Sequence, residues 1–371
     1  MRALRIAWDN ALAGRDKAGT GVYAARLLQQ LERRSDVQIE VLEGWRRNLS
    51  TNGLITRGLG TLSDLFWTHA YLPTILSKRS TDLLHSPAFV APVASSVPVV
   101  VTIHDVTYRL FPSHFSQYWV NYMKFLMPLV MHSAAAIICP SEHSKQDVVT
   151  MYDMPSNRVH TVPYGIDHER FHPLVSLDSK WAHSFNICPG YLLHVGTLSY
   201  RKNIPTLLRA VASLRARGRW ENRQVVLAGG QSRGIKGAGE ILAMIQELDL
   251  TEEVVLAGHV PDEIVPGLYA GASIMVMPSL YEGFGFPVLE SMAVGTPVIA
   301  SNSSSLPEVA AGASLLFPAH DERALAAAIE DVLSNHSVAG ELRAKGLKRA
   351  SEFSWKRTAD ATVLVYRQVI S

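Results

Sequence analysis

Short, almost wholly apolar strand signals recur along this chain, and helical patterns separate most of them. In the second half they run over Tyr191 to Val195, Val225 to Ala228, Val254 to Ala257, Ser273 to Met277, Pro297 to Ala300 and Ser314 to Phe317. In the first half they run over Leu4 to Asp9, Val37 to Glu43, Leu83 to Pro87, Pro98 to Asp105, Ala134 to Pro140 and Val159 to Val162. Strands that are apolar on both sides belong in a parallel sheet covered by helices on both faces, so the pattern predicts an α/β chain. With 371 residues the chain is too long for one ordinary core. The expectation is two doubly wound domains, over 1–175 and 185–353. A weakly periodic stretch near 171–184 links them, and a last helical pattern fills 354–371.

Composition narrows the setting. The formal charge of +2 is too small to imply a nucleic-acid partner. Two cysteines, Cys139 and Cys188, give no disulfide framework and point to a reducing compartment. The opening residues read as a strand rather than a signal peptide, and no apolar run has transmembrane length. A cytoplasmic protein is expected. The stretch Ser116 to Ser133, rich in Tyr, Trp, Phe, Met and Leu, reads either as a core helix or as a helix resting on a membrane surface.

The chemistry concentrates between Pro278 and Gly295. A strand runs into a glycine-broken loop carrying Glu282, and then into a helix with Pro287 in its first turn and Glu290 beyond it. Gly295 is the expected stop. Such a loop and helix start can offer N–H groups to a phosphate or sugar oxygen, and both carboxylates can accept from hydroxyls. After the strand at Tyr191 to Val195 come Gly196, Thr197, Arg201 and Lys202. The two cations read as a diphosphate clamp or as a solvated surface pair. The turns Ala228-Gly229-Gly230 and Gly258-His259-Val260-Pro261 can border the same cleft. His104 stands at the end of a strand, where functional groups gather in open parallel sheets; a structural histidine fits there too. Gly19 and Gly21 mark either a ligand-approaching turn or an ordinary strand-to-helix turn. Ser305 to Glu308 has the spacing of a capping box.

Taken together, Glu282 to Glu290, Gly196 to Asn203, Thr102 to Asp105, Pro140-Ser141, Val162 to Asp167 and the early glycine loop resemble the retaining, nucleotide-sugar-dependent glycosyltransferases of family 4. The resemblance runs over nearly the whole chain and is closest to bacterial mannosyltransferases that build O-antigen and exopolysaccharide. It implies the GT-B fold, with an acceptor-side domain over 1–175 and a nucleotide-sugar-binding domain over 185–353, both Rossmann-like and facing across a deep cleft, and with the helix over 354–371 packing back on the first. It also implies a catalytic set of His104, Glu282 and Lys202. Lys202 would bind the donor diphosphate, Glu290 the ribose hydroxyls and Glu282 the transferred sugar. Gly283, Phe284 and Gly285 would support sugar or phosphate, and His104 would touch the sugar. Gly21, Thr197, Arg201 and Val260 complete the implied donor site. Many members carry arginine where this chain has Thr197, which leaves Arg201 to supply that charge.

The implied substrates are a nucleotide sugar, GDP-mannose first, and a lipid-linked oligosaccharide acceptor met at the cytoplasmic membrane face. No metal or cofactor is expected, since the cations and loop amides can stabilise the leaving diphosphate. Transfer on one face of the sugar, with the leaving phosphate taking the acceptor proton, is expected over a covalent intermediate on Glu282. The alternatives are a nucleotide-sugar epimerase of the same fold, a UDP-sugar- or GDP-rhamnose-dependent transferase, and a non-catalytic carbohydrate-binding protein.

Overall fold

The computed structural model describes residues 2–13, 19–44, 63–221, 223–230 and 237–371. The polar sequence over 46–63 reads as a long loop, and apart from its last residue it lies outside the described residues.

The chain divides into two compact units. The first comprises Met1–Val106, Asn121–Gly165 and Trp355–Ser371, and the second Thr107–Val120 and Ile166–Ser354. Each holds one six-stranded parallel sheet. In the first unit the strands are β1 (Leu4–Asp9), β2 (Val37–Leu42), β3 (Leu83–Ser86), β4 (Val99–Thr102), β5 (Ala136–Cys139) and β6 (Val159–Thr161), in the order β2-β1-β3-β4-β5-β6. In the second they are β7 (Tyr191–Val195), β8 (Val225–Ala228), β9 (Val254–Gly258), β10 (Ala272–Met277), β11 (Val298–Ser301) and β12 (Leu315–Phe317), in the order β12-β11-β10-β7-β8-β9. In both sheets the order reverses beside the first strand, which opens a crevice at the carboxyl ends.

The first helix, α1, spans Gly19–Glu32, so Gly21 sits in its first turn and is buried. Its inward side is Tyr23, Leu27 and Leu31; Val22, which opens the helical pattern Val22, Ala25, Leu27, Leu28 and Leu31 in the sequence, is 39% exposed. The aromatic-rich helix α2, Gln117–Ser133, has both buried and exposed apolar residues. Val120, Met123, Met127 and Val130 are buried, while Tyr118, Phe125 and Leu129 stand in solvent, Phe125 at 74%. No helix among the described residues is long and apolar enough to cross a membrane.

In the second unit the core gathers Leu207 and Val211 of helix α3 (Ile204–Ala216) with Leu192, Leu227, Ile274, Ile299 and Ile329. Helix α4 (Val265–Gly271) precedes β10, and helix α5 (Phe286–Val294) follows it. Gly295 ends α5 in the left-handed conformation. The expected linker contains a short helix, Ser179–Ser184, begun by Asp178, whose carboxylate accepts from Trp181 N at 2.7 Å. At six residues it is too brief to show a period.

The last helix, α6, spans Trp355–Ile370 and belongs to the first unit. Trp355 stacks on Tyr164 at 6.3 Å, and the Tyr366 hydroxyl meets His85 Nδ1 at 2.5 Å. Arg367 and Asp360 form ion pairs with Asp36 and Arg34. Of the apolar residues that the sequence offers for this packing, Trp355 and Tyr366 are buried, with Ala359, Thr362 and Val363 beside them, while Leu364 is 63% exposed.

Candidate active site

The adjacency of β7, β10 and β11 decides which side chains meet. Loops leaving neighbouring parallel strands emerge side by side at the carboxyl edge. The loop after β7 carries Arg201 and Lys202, that after β10 carries Glu282, and that after β11 carries Ser304 and Ser305. Lys202 Nζ lies 2.8 Å from Glu282 Oε1, and Arg201 NH1 lies 2.8 Å from Glu282 Oε2. Both Lys202 and Glu282 are buried. The cations are therefore not a solvated pair but a two-pronged grip on one carboxylate.

The loops are pinned to each other through their backbones. Arg201 O accepts from Leu280 N at 2.8 Å, and the Arg201 guanidinium donates to Tyr281 O at 2.6 Å. The Asn203 amide donates to Pro278 O at 3.0 Å and to Ala319 O at 2.6 Å. Glu282 N donates to Ser304 Oγ at 2.8 Å. Ser305 Oγ lies 2.9 Å from Glu282 O and 2.8 Å from Phe284 O, sharing its proton between them. This corrects the capping-box expectation: Ser305 makes no side-chain cap bond to its own helix, because the glutamate loop takes its hydroxyl.

Two glycines make the close approach possible. A Cβ on Gly196 would stand 2.7 Å from Lys202 Cε, so the lysine stem lies across that position. Gly285 starts α5 at φ +109, a backbone conformation that favours glycine. Its neighbours Gly283 and Phe284 lie in the same bend.

The electrostatics follow from burial and pairing. Burial alone would raise the Glu282 carboxyl, but Arg201 and Lys202 outweigh it and hold it down at about 2. Burial pulls the Lys202 ammonium below the usual lysine range, with Glu282 opposing. His194 on β7 is fully buried, and burial first, then Lys202, lowers it to about 4. Its Nδ1–H donates to Val276 O at 3.0 Å, while Nε2 has no partner among the described residues. The Lys202 stem crosses Gly196 just beyond β7, and its charge reaches His194 and opposes protonation there. This leaves an acceptor lone pair in the field of the Lys202 ammonium.

Glu290, on α5, has a different partner. Its Oε2 accepts from the Tyr269 hydroxyl at 2.8 Å. Burial raises its carboxyl, while that hydrogen bond and Arg170 pull it back. Thr197 is half-buried after β7, and Val260 is buried after β9 at the far edge of the sheet.

His104 and Gly21 belong to the first unit. His104 is buried beyond the end of β4, with both ring nitrogens engaged. Nε2 lies 2.9 Å from Pro87 O, which can only accept, so Nε2 carries the proton. The Tyr164 hydroxyl, kept neutral by burial, then donates to Nδ1. Abstracting a proton at either nitrogen would displace a protein partner. Tyr23 and Phe89 present their rings to the imidazole, each at 5.1 Å.

Sequence reasoning missed Tyr164, His194, Tyr269, Ser304 and Ser305. Tyr164 lay within a noted motif, Val162 to Asp167, and Ser305 within a noted cap pattern. The other three carried no signal of spacing.

Comparison with known proteins shows the family of the chain. The family model described as "Glycosyltransferase Family 4" matches residues 18–170, and "Glycosyl transferases group 1" matches residues 178–352. The chain is 31% identical over 287 residues to O-antigen chain mannosyltransferase B of Escherichia coli, covering 77% of this chain and 74% of that one. It is 28% identical over 253 residues to the serotype-specific mannosyltransferase WbdA of Escherichia coli, covering 66% of this chain and 30% of that longer protein. Among solved structures, sucrose-phosphate synthase from Thermosynechococcus elongatus superposes with a TM-score of 0.77 at 22% identity, over 98% of both chains. The two-sheet architecture is the GT-B fold of such glycosyltransferases.

Proposed function

The chain belongs to the family 4 glycosyltransferases, and from that premise we propose that it is a retaining, metal-independent mannosyltransferase. Its donor is GDP-mannose and its acceptor a lipid-linked saccharide of bacterial surface polysaccharide synthesis. One observation carries the reading: two cations and a glutamate, locked together on loops whose backbones leave little freedom to move. A departing diphosphate needs positive charge at its bridging oxygen, already in place when the bond breaks. Lys202 supplies it as a point charge and Arg201 as a fork of donors. The similarity to two Escherichia coli proteins named as mannosyltransferases supports the sugar.

In the proposed reaction the bond between the anomeric carbon and the diphosphate oxygen breaks, and its electron pair stays with the phosphate. The acceptor hydroxyl attacks from that same face and passes its proton to the departing oxygen. Glu282 accepts hydrogen bonds from the sugar hydroxyls, which requires it to exchange part of its hold on Arg201 and Lys202. Glu290 accepts from the ribose, and the first-turn amides near Gly283, Phe284 and Gly285 face the sugar and phosphate. Thr197 and Val260 flank the donor, Gly21 offers a first-turn amide, and His104 orients the sugar. No cofactor enters. The exposed face of α2, with Tyr118, Trp119, Phe125 and Leu129, supports peripheral contact with the cytoplasmic face of a membrane.

A thermal-shift screen of nucleotide sugars tests the donor. GDP-mannose is expected to give the largest upward shift; a larger shift with a UDP-sugar or GDP-rhamnose overturns it. Transfer to a lipid-linked saccharide in the presence of chelator, with an α-linked product by NMR, tests the rest. Turnover of the donor without acceptor would instead favour an epimerase.

A further inference from the structure

Tyr269 is fully buried, and nothing in the proposed reaction uses it. It sits on α4, just before β10, whereas Glu290 sits on α5, just after it. The strand brings the two helices together, and the phenol meets Glu290 Oε2 at 2.8 Å. The residue is held at both its backbone and its ring. Thr296 Oγ1 donates to Tyr269 O at 2.7 Å, and Phe171 packs edge-on at 6.2 Å. Burial keeps the phenol neutral and therefore a donor. Glu290 Oε1 takes no hydrogen bond from any described residue. One oxygen is fixed and the other remains available.

A glutamate has several rotatable bonds, and an unrestrained one loses that freedom when it binds a ligand. A buried carboxylate also drifts toward its neutral form unless a donor holds it ionised. The Tyr269 hydroxyl answers both needs at once. We propose that Tyr269 is the positioning residue of ribose recognition. It anchors Oε2 of Glu290 so that Oε1 accepts from the vicinal hydroxyls of the donor nucleoside, which sets a preference for ribo- over deoxyribonucleotides. This rests on the reading of Glu290 as the ribose contact.

Calorimetric titration of the full chain with GDP, UDP and their 2′-deoxy counterparts tests it. The unsubstituted protein is expected to favour the ribonucleotide by about tenfold. Tyr269→Phe is expected to weaken the ribonucleotide by about the same factor while leaving the deoxynucleotide unchanged. Tyr269→Phe combined with Glu290→Gln should then be no worse than Glu290→Gln alone. Because a fully buried tyrosine is being changed, Glu290→Asp serves as a second variant. It keeps the charge but shortens the reach, and it should lose the same preference. A preference that survives in Tyr269→Phe or Glu290→Asp overturns the proposal, as does an equal loss for both kinds of nucleotide. An unsubstituted protein that binds both sugars' nucleotides equally overturns Glu290 as the ribose contact. One that binds neither GDP nor UDP overturns the donor-site reading itself, and this inference with it.

Discussion

Glu282 is where the chemistry and the stability of the second unit meet. Lys202→Ala is expected to lower kcat/KM for transfer by about 100- to 1000-fold, the range for removing one charge-stabilising donor. Arg201 remains on the other carboxylate oxygen, so Glu282 is not left unpaired and the cost in melting should be the smaller effect. Comparing kinetics with thermal unfolding checks this; intact turnover would dismiss the clamp. Acid unfolding gives a separate test. The Glu282 carboxyl is held at about 2, well below its unfolded value. Its contribution is therefore full above the ordinary carboxyl range and is lost as pH falls from about 4.5 toward 2, amounting to ~3 kcal/mol at most. Urea melts at descending pH should show a shallower decline for Glu282→Gln than for the unsubstituted chain. The sequence placed Glu282, Lys202 and Arg201 beside a ligand, but it did not reveal that they grip each other. That contact depends on the strand order, which sets β7 beside β10 across eighty residues.

Elements were more readable than their supports. Most strands among the described residues were legible because parallel strands buried on both faces leave continuous apolar runs, although the edge strand β2 carries exposed Gln38 and Glu40 between its buried ends. The six-residue helix at Ser179–Ser184 was not, since it is shorter than two full turns. The two faces of α2 were visible only as an ambiguity, because burial of one face depends on tertiary packing. Ser305 was misread because its spacing suited a cap, while its hydroxyl answers carbonyls more than twenty residues away. Ser305→Ala is expected to leave both carbonyls without that donor and to cost about 1–3 kcal/mol. Its donor KM should rise as the Glu282 loop loosens, which titration of nucleotide would detect. In the first unit, His85 joins β3 to α6 and to β4, bonding Tyr366 on one side and Thr102 on the other at 2.9 Å. Burial, with His104 adding, lowers it to about 3. The unfolded chain takes up that proton first, so stability falls as pH drops below about 6.5, by ~2 kcal/mol at pH 5. A smaller difference between pH 7 and pH 5 is expected for His85→Gln in urea titrations.

At the scale of the whole molecule, each unit has its own sheet, and the first is assembled from three separate stretches of chain. Trp355 and Tyr366 put α6 among its central packing residues. A chain ending at Ser354 is expected to keep hydrogen-exchange protection across β7 to β12 while losing it across β1 to β6. Equal protection in both sheets would show that α6 is dispensable. The recurrence of strands marked two sheets in the sequence, while the return of the last helix was implied by the family resemblance alone, since nothing local tells a final helix which core it completes. The return of α6 also has a temporal consequence. Ribosomes make Trp355–Ser371 after every residue of the second sheet, so the earlier-made half waits, unsealed, until the later-made half has been synthesised. Its open surface over that interval is a natural client for a chaperone.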